Sequence, residues 1–254
     1  MNWRIDSYGA GSPLLLIHGW GMHGGIWGGM VDALAQHCRV MCADLPGHGA
    51  SAPLPGFTLD RLVHGLSVQF DEPLTVCGWS LGGQVALRWA ALYPQQVSRL
   101  VLLASTPCFV RRADWPYALA ADTLQEFAAS LLANHAQTLK RFLALQVRGS
   151  ENERELLADL RSRLFSRGEP DLGSLRDGLE ILCNTDLRAS LPQLRQPALV
   201  VAGERDTLTP LAASAYMAQM LPDARLASVA GAAHAPFLSH PETVVEQMVD
   251  FLYG

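Results

Sequence analysis

Short apolar runs separated by polar and glycine-rich stretches mark the two ends of this chain. Runs near positions 14–18, 39–44, 74–78, 99–104, 197–202 and 225–229 are typical of strands that are buried within a sheet. Helix-like segments lie between several of these runs. Such alternation predicts right-handed βαβ crossovers and a mostly parallel central sheet flanked by helices, which is a fold of the α/β class.

The alternation of strands and helices stops between about residues 109 and 191. This stretch contains no convincing strand, and helix-like segments occur near 121–133, 136–147, 151–166 and 172–183. A helical insertion between two strands of the sheet is expected to lie over the catalytic edge as a cap. We therefore expect a core formed by residues 1–108 and 192–254 and a helical cap formed by residues 109–191.

The most specific motif is GWSLG at residues 78–82. It follows the apolar run 74–77 and opens a helix-like segment, which is the context that a G-x-S-x-G nucleophile elbow requires. The serine of such an elbow sits on a sharp, strained turn, and the flanking glycines avoid collisions there. We expect Ser80 to be a nucleophile. The alternative is an ordinary glycine-rich turn, which would need no catalytic partners elsewhere.

Candidate partners of Ser80 follow the last two predicted strands. Asp206 comes after the run 197–202, and His234 comes after the run 225–229. Catalytic groups gather after the strands of a parallel sheet, so both should lie beside Ser80. The order serine, aspartate, histidine is typical of the α/β-hydrolase fold, in which histidine accepts the serine proton and aspartate orients the imidazole. Glu204 stays an alternative to the favoured Asp206.

The loop after the first apolar run carries a second feature of such sites. The sequence HGWG at residues 18–21 leaves this predicted strand. The backbone N–H of Trp20 is expected to form an oxyanion hole with the N–H of Leu81. We interpret His18 as a support of this loop. Asp44 fits a glycine-rich turn in which its carboxylate accepts local backbone N–H groups.

Composition narrows the class of protein further. The 254 residues are 49% hydrophobic with a net charge of −5, so a sizeable core is expected and nucleic acid is not. No signal peptide is recognised, and glycines interrupt the one long uncharged stretch, which argues against a membrane span. Five cysteines, mostly in apolar runs, favour free thiols in the cytoplasm. Cys38 and Cys42 lack further cysteines for a zinc site, so we expect no metal.

Several motifs together resemble one enzyme family. They are HGWGM at 18–22, DLPGHG at 44–49, GWSLGG at 78–83, ASTPCF at 104–109, RFLALQ at 141–146, GLEIL at 178–182 and AHAPFLSHP at 233–241. This pattern covers essentially the whole chain and is similar to that of the pimeloyl-[acyl-carrier protein] methyl ester esterases of biotin biosynthesis. The resemblance implies an α/β-hydrolase fold with a helical cap. It also implies hydrolysis of the methyl ester of a pimeloyl group that is carried on acyl-carrier protein, without a cofactor.

The same resemblance implies which residues meet the substrate. They are Trp20, Ser80, Leu81, Phe142, Leu143, Ala144, Leu145, Gln146 and His234. A seven-carbon acyl chain needs an apolar channel, and Trp79 is a further candidate to line it.

A basic stretch of the cap is the candidate docking surface for the acidic carrier protein. Between residues 140 and 167 there are seven basic and four acidic side chains. The family docks its partner through cap arginines, and the candidates here are Lys140, Arg141, Arg154 and Arg161. Gln137 and Ala158 stand where arginine is expected. The alternative is a solvated helix with ion pairs between successive turns.

Other functions stay open at the level of sequence. A generic short-chain carboxylesterase would share the triad but gain nothing from a carrier protein. A carbon–carbon bond hydrolase of the same fold would act on a dienol ketone. A non-enzymatic sensor is disfavoured by the intact triad, and a dehalogenase requires a carboxylate where Ser80 stands. We expect a monomer in the cytoplasm.

Overall fold

A seven-stranded sheet forms the centre of the molecule, for which a computed structural model describes residues 3–254. The strands are β1 (Arg4–Tyr8), β2 (Pro13–Ile17), β3 (Arg39–Asp44), β4 (Leu74–Trp79), β5 (Val97–Leu103), β6 (Ala198–Gly203) and β7 (Ala224–Val229). Their order in the sheet is β1-β3-β2-β4-β5-β6-β7. β1 pairs antiparallel with β3, and the remaining pairs are parallel. The predicted α/β class with a mostly parallel sheet is confirmed.

The inner strands correspond to the strongest apolar runs. Every residue of β4 and β6 is buried, because helices cover both faces of a parallel sheet. The edge strand β1 has no counterpart among the predicted strands. It contains Arg4 and Asp6 and lacks an apolar run, and its side chains are exposed or half-buried. Pairing with β3, rather than a pattern of its own, makes this segment a strand.

Helices cover the sheet and fill the predicted insertion. They are α1 (Gly29–Leu34), α2 (Leu59–Ser67), α3 (Leu81–Leu92), α4 (Ala121–Ala133), α5 (His135–Val147), α6 (Glu153–Leu164), α7 (Leu172–Asn184), α8 (Leu211–Met220), α9 (Pro236–Ser239) and α10 (Pro241–Tyr253). None of the helices in residues 3–254 is long and apolar enough to cross a membrane. The helices α4 to α7 coincide closely with the four segments that the sequence predicts between β5 and β6.

The inserted helices pack directly onto the core. Leu143 of α5 and Leu175 of α7 are fully buried, in the same hydrophobic cluster as the strands. Asp171 begins α7 by accepting the backbone N–H of Ser174 at 2.8 Å, which satisfies one of the free donors at the helix start. We propose that residues 109–191 form a cap and that residues 3–108 and 192–254 form the core, as the sequence predicts.

An ion-pair cluster ties the end of α6 to the core. Arg167 reaches the buried carboxylate of Asp44, with 3.3 Å between Nη1 and Oδ2, and its Nη2 lies 3.0 Å from Asp6 Oδ2. Asp44 also accepts the backbone N–H groups of Gly24 and Ala50, at 2.6 and 2.9 Å. Asp44 is thus the turn residue that the sequence predicts, and it also anchors the cap helices.

Candidate active site

Ser80 sits on a strained turn between β4 and α3. Its φ is 56° and its ψ is −116°, a conformation that is rare for a residue with a side chain. A Cβ at Gly78 would lie 2.1 Å from the carbonyl oxygen of Gly82, and a Cβ at Gly82 would lie 2.1 Å from that of Ile17. Only glycine fits at both positions. The motif therefore makes the elbow that the sequence predicts.

A second serine holds the elbow from the neighbouring strand. Ser105, just after β5, donates its hydroxyl to the carbonyl of Ser80 at 2.7 Å and is fully buried. A Cβ at Gly83 would lie 2.2 Å from the Ser105 hydroxyl oxygen. The elbow thus depends on four positions of the motif (Gly78, Ser80, Gly82 and Gly83) and on Ser105, in the loop that follows β5. Sequence reasoning missed Ser105, because its partner is 25 residues away.

Asp206 and His234 form a buried hydrogen-bonded pair. His234 Nδ1 lies 2.8 Å from Asp206 Oδ2, and the two side chains are 1% and 0% exposed. Asp206 also accepts the backbone N–H groups of Leu208 and Thr209, at 2.8 and 2.9 Å, and the Thr209 hydroxyl at 2.5 Å. Four donors therefore hold the carboxylate, and it holds the imidazole in the tautomer that carries its proton on Nδ1.

The structure separates the two candidate acids. Glu204 is exposed, and its backbone N–H pairs with Val229 at the start of the loop. Asp206, two residues later, turns back toward His234. The Glu204 side chain is exposed to solvent, whereas the Asp206 carboxylate is buried, with its Oδ2 2.8 Å from His234 Nδ1. The geometry favours Asp206, as the sequence analysis does.

The second imidazole nitrogen of His234 is buried and free to accept a proton. No hydrogen-bond partner for its Nε2 lies among the described residues, and no hydrogen bond joins it to Ser80 there. Hydrogen bonds between catalytic groups are often long without substrate and tighten only in the reacting complex. The nitrogen that would act as the base is thus the one that Asp206 leaves available.

The oxyanion segment is fixed by a buried histidine. His18 is fully buried; its Nδ1 lies 2.8 Å from the carbonyl of Gly19, and its Nε2 accepts the backbone N–H of Leu45 at 2.9 Å. This histidine therefore ties the loop after β2 to the end of β3. In the described chain, the backbone N–H groups of Trp20 and Leu81 have no protein acceptor. Both amides are available to a substrate oxygen.

Burial makes the histidines behind this loop resist protonation. Desolvation lowers the pKa of His18 well below its usual range, and the nearby His48 adds to the effect. Desolvation likewise lowers the pKa of His48 to about 4. The two rings lie 5.3 Å apart, and His48 Nδ1 lies 2.9 Å from the carbonyl of Pro46. Both histidines are therefore neutral at neutral pH and serve the fold.

The free energy of unfolding should fall when the pH drops below about 6.5. The unfolded chain binds a proton on His48 near pH 6.5, whereas the folded protein does so only near pH 4. Protons thus favour the unfolded state between these values, and His48 alone should remove about 2 kcal/mol between pH 7 and pH 5. Urea unfolding at both pH values measures this loss. His48→Gln should reduce it, and the matched change at exposed His64 should not.

An apolar cavity of about 140 Å³ lies between cap and core. Trp20, Phe142 and Leu145 line it, together with Thr207 and Leu208 beside the acid loop. Further lining residues are Leu119, Thr123, Leu124, Phe127, Leu179 and Leu182. Three other candidate substrate contacts do not line this cavity. Leu143 is fully buried in the main hydrophobic cluster, Ala144 is half-buried, and Gln146 is 1% exposed.

A surface groove adjoins this cavity between α4 and α5. The groove has a volume of about 450 Å³ and shares Thr123, Phe127 and Leu145 with the cavity. Arg141 lies on its rim. The other basic candidates, Lys140, Arg154 and Arg161, are also exposed, and no ion pair involves any of the four among the described residues. The groove, which is lined by Glu126 as well as Arg141, thus adjoins the apolar cavity.

The sheet order, the strained serine and the buried aspartate–histidine pair together define an α/β hydrolase. A family model described as the α/β hydrolase fold matches residues 12–241. Among curated proteins, the pimeloyl-[acyl-carrier protein] methyl ester esterase of Nitrosomonas europaea is 47% identical over 95% of this chain and 96% of its own length. That of Chromobacterium violaceum is 42% identical over 99% and 98%. The chain therefore belongs to this family of carboxylic ester hydrolases.

Solved structures with lower sequence identity share the fold. A bromoperoxidase from Bacillus anthracis superposes with a TM-score of 0.91 at 22% identity, covering 99% of this chain and 95% of that one. An esterase from Exiguobacterium antarcticum superposes with a TM-score of 0.90 at 21% identity, covering 99% and 96%. At this level of identity the likeness concerns architecture alone.

Proposed function

We propose that this chain hydrolyses the methyl ester of pimeloyl-acyl-carrier protein, with Ser80, His234 and Asp206 as its catalytic triad. The observation that carries the proposal is the buried Asp206–His234 pair next to a strained serine elbow. The family membership supports the substrate class, since its curated relatives are named for that reaction. The product keeps its thioester to the carrier and gains a free carboxylate for biotin assembly.

The reaction divides into two acyl transfers. His234 Nε2 accepts the hydroxyl proton of Ser80 while the serine oxygen attacks the methyl ester carbonyl. The N–H groups of Trp20 and Leu81 stabilise the negative oxygen of the tetrahedral intermediate. The carbon–oxygen bond to the methoxy group then breaks, and the imidazolium gives its proton to the leaving methanol. An acyl ester on Ser80 remains.

Water completes the cycle by the same path. His234 accepts a proton from the water, whose oxygen attacks the acyl ester, and returns that proton to Ser80 as the carboxylate product leaves. Asp206 stabilises the imidazolium in both halves. Thr209 helps to keep the carboxylate in place, because its hydroxyl and its backbone N–H both bind Asp206.

The cavity and groove account for the acyl chain and its carrier. Apolar surface at Trp20, Phe142 and Leu145 suits the methylene chain between the two carbonyl groups of a pimeloyl ester. The groove between α4 and α5 would then lead the phosphate-bearing arm of the carrier protein toward the cap surface. Arg141 on its rim suits both this phosphate and the acidic carrier.

Reversing two cap charges should weaken use of the carrier-linked substrate. We expect Arg141→Glu combined with Arg154→Glu to raise KM for pimeloyl-acyl-carrier protein methyl ester by about tenfold or less, because exposed ion pairs are individually weak. The remaining activity should depend less on salt, since opposite charges no longer steer the encounter. Steady-state kinetics at two ionic strengths measure both effects.

The matched control reverses two arginines at the opposite edge of the sheet. Arg99 lies near the start of β5 and Arg195 precedes β6; both are exposed. Their replacement by glutamate should leave KM for the carrier-linked ester unchanged. Equal losses on p-nitrophenyl acetate and on the carrier-linked ester in the cap variant would mean that these arginines stabilise the cap instead of docking a partner.

A further inference from the structure

Two hydrogen bonds fix the backbone of His234. This residue lies on the loop between β7 and α9, so regular secondary structure does not determine its position. Its N–H donates to the carbonyl of Gln146 in the cap at 3.1 Å. Its carbonyl accepts the indole N–H of Trp79 in the core at 2.8 Å. The catalytic base is therefore held from the cap on one side and from the core on the other.

Trp79 connects three parts of the site. It is the last residue of β4, directly before Ser80, and it is 1% exposed. Its ring packs edge-on against Phe237 with centroids 5.0 Å apart, and it lies 5.7 Å from the imidazole of His234. A Cβ at Gly19 would come within 3.1 Å of this ring, so the oxyanion loop packs against it too.

We propose that Trp79 is a positioning residue that sets the placement of His234 relative to Ser80 through its indole N–H. This inference rests on the proposed triad. The expectation that Trp79 lines the acyl channel stays a separate prediction, and Trp79 is not among the described residues that line the apolar cavity. Trp79 is thus bonded directly to the nucleophile Ser80 through its backbone, and its side chain holds the base His234.

The N–H group, rather than the ring alone, is the part that matters. The carbonyl of His234 is buried beside the indole and needs a donor, and no other side chain donates to it in the described chain. Without that donor the loop would shift to recover a partner. The imidazole would then leave the line between Ser80 and the departing methanol, and a misplacement of about 1 Å can cost about a hundredfold in rate.

The test compares two matched changes in buried tryptophans. Trp79→Phe keeps an aromatic ring and removes the donor; we expect kcat for p-nitrophenyl acetate to fall about 10- to 100-fold with little change in KM. The control is Trp89→Phe on α3. Trp89 is also fully buried and loses an indole hydrogen bond, to Gln96 at 3.1 Å, but this bond lies away from the site. Its kcat should stay within about twofold of wild type, once both are corrected for the folded fraction.

A second variant removes the donor without changing the shape. Benzothienylalanine at position 79, introduced by stop-codon suppression, replaces the indole N–H by sulfur and should reproduce the loss of kcat even if Trp79→Phe folds poorly. We also expect the downfield proton resonance of the His234 Nδ1–H to shift or broaden in both position-79 variants and to stay unchanged in Trp89→Phe. If Trp79 had only a structural role, its variants would not change the His234 Nδ1–H resonance any more than Trp89→Phe does.

Several outcomes would overturn the inference. One is equal loss of kcat in the position-79 and position-89 variants. Another is a rise in KM with kcat unchanged, which would make Trp79 a substrate contact. Wild-type kcat with benzothienylalanine would also refute a role for the N–H. A wrong triad would be recognised separately, because Ser80→Ala would then retain activity. If Ser80→Ala is inactive and the position-79 variants keep wild-type kcat, only the role of Trp79 is refuted.

Discussion

Ser80→Ala should lower kcat for p-nitrophenyl acetate by about 10⁶-fold and leave the protein folded. The hydroxyl forms the covalent acyl ester, and Ser105, which contacts the elbow, already donates its own hydroxyl to the Ser80 carbonyl. Alanine accepts the same strained backbone, since only the hydroxyl group is lost. Thermal unfolding should therefore stay close to that of wild type, which separates loss of chemistry from loss of structure.

The matched control is Ser105→Ala, which removes a hydroxyl from the support of the elbow and not from the nucleophile. It should retain measurable turnover and show a lower unfolding temperature, because the Ser80 carbonyl loses a buried donor. A burst of nitrophenol in wild type that is absent in Ser80→Ala would further report the acyl-enzyme. Turnover that survives in Ser80→Ala would remove the serine from the mechanism.

Asp206→Asn should lower kcat by about 10⁴-fold with the site geometry nearly intact. The amide keeps the shape of the side chain, but it can present an N–H to His234 Nδ1, which reverses the imidazole tautomer. Nε2 would then carry the proton and could not accept another from Ser80. Steady-state kinetics with a small ester isolate this effect, because such an ester does not need the cap rim.

Glu204→Gln serves as the matched control for that change. Glu204 is exposed on the same turn, so its amide should leave kcat within about twofold of wild type. If the Glu204 variant were the more damaged of the two, the carboxylate assigned here would be the wrong one. The pair thus tests which of two neighbouring acids orients the histidine.

Much of the fold and the chemistry could be predicted from local sequence. The strands β2, β4 and β6 are apolar runs that end at the catalytic edge, so the residues after them had to meet there. The elbow at Ser80 needs glycines at fixed offsets, and these glycines are visible in the chain. The four cap helices could be predicted because the apolar residues of each recur at helical spacing.

The supporting contacts could not be predicted, because they join distant residues. Trp79 and His234 are 155 positions apart, and nothing in either segment points to the other. In the sequence, Arg167 is one of several basic residues of the cap, but in the structure it forms an ion pair with the buried Asp44. Sequence patterns show which side chains are apolar or charged; they do not show which atoms meet once the chain has folded.

The central claim is tested most directly by comparing a free and a carrier-linked substrate. The enzyme would be given dimethyl pimelate and pimeloyl-acyl-carrier protein methyl ester under identical conditions, with release of methanol followed in both. We predict at least about tenfold higher kcat/KM for the carrier-linked ester, a decrease of this advantage at high salt, and an intact thioester in the product. Equal kcat/KM for the two esters, or cleavage of the thioester, would contradict the proposed function and favour a general carboxylesterase.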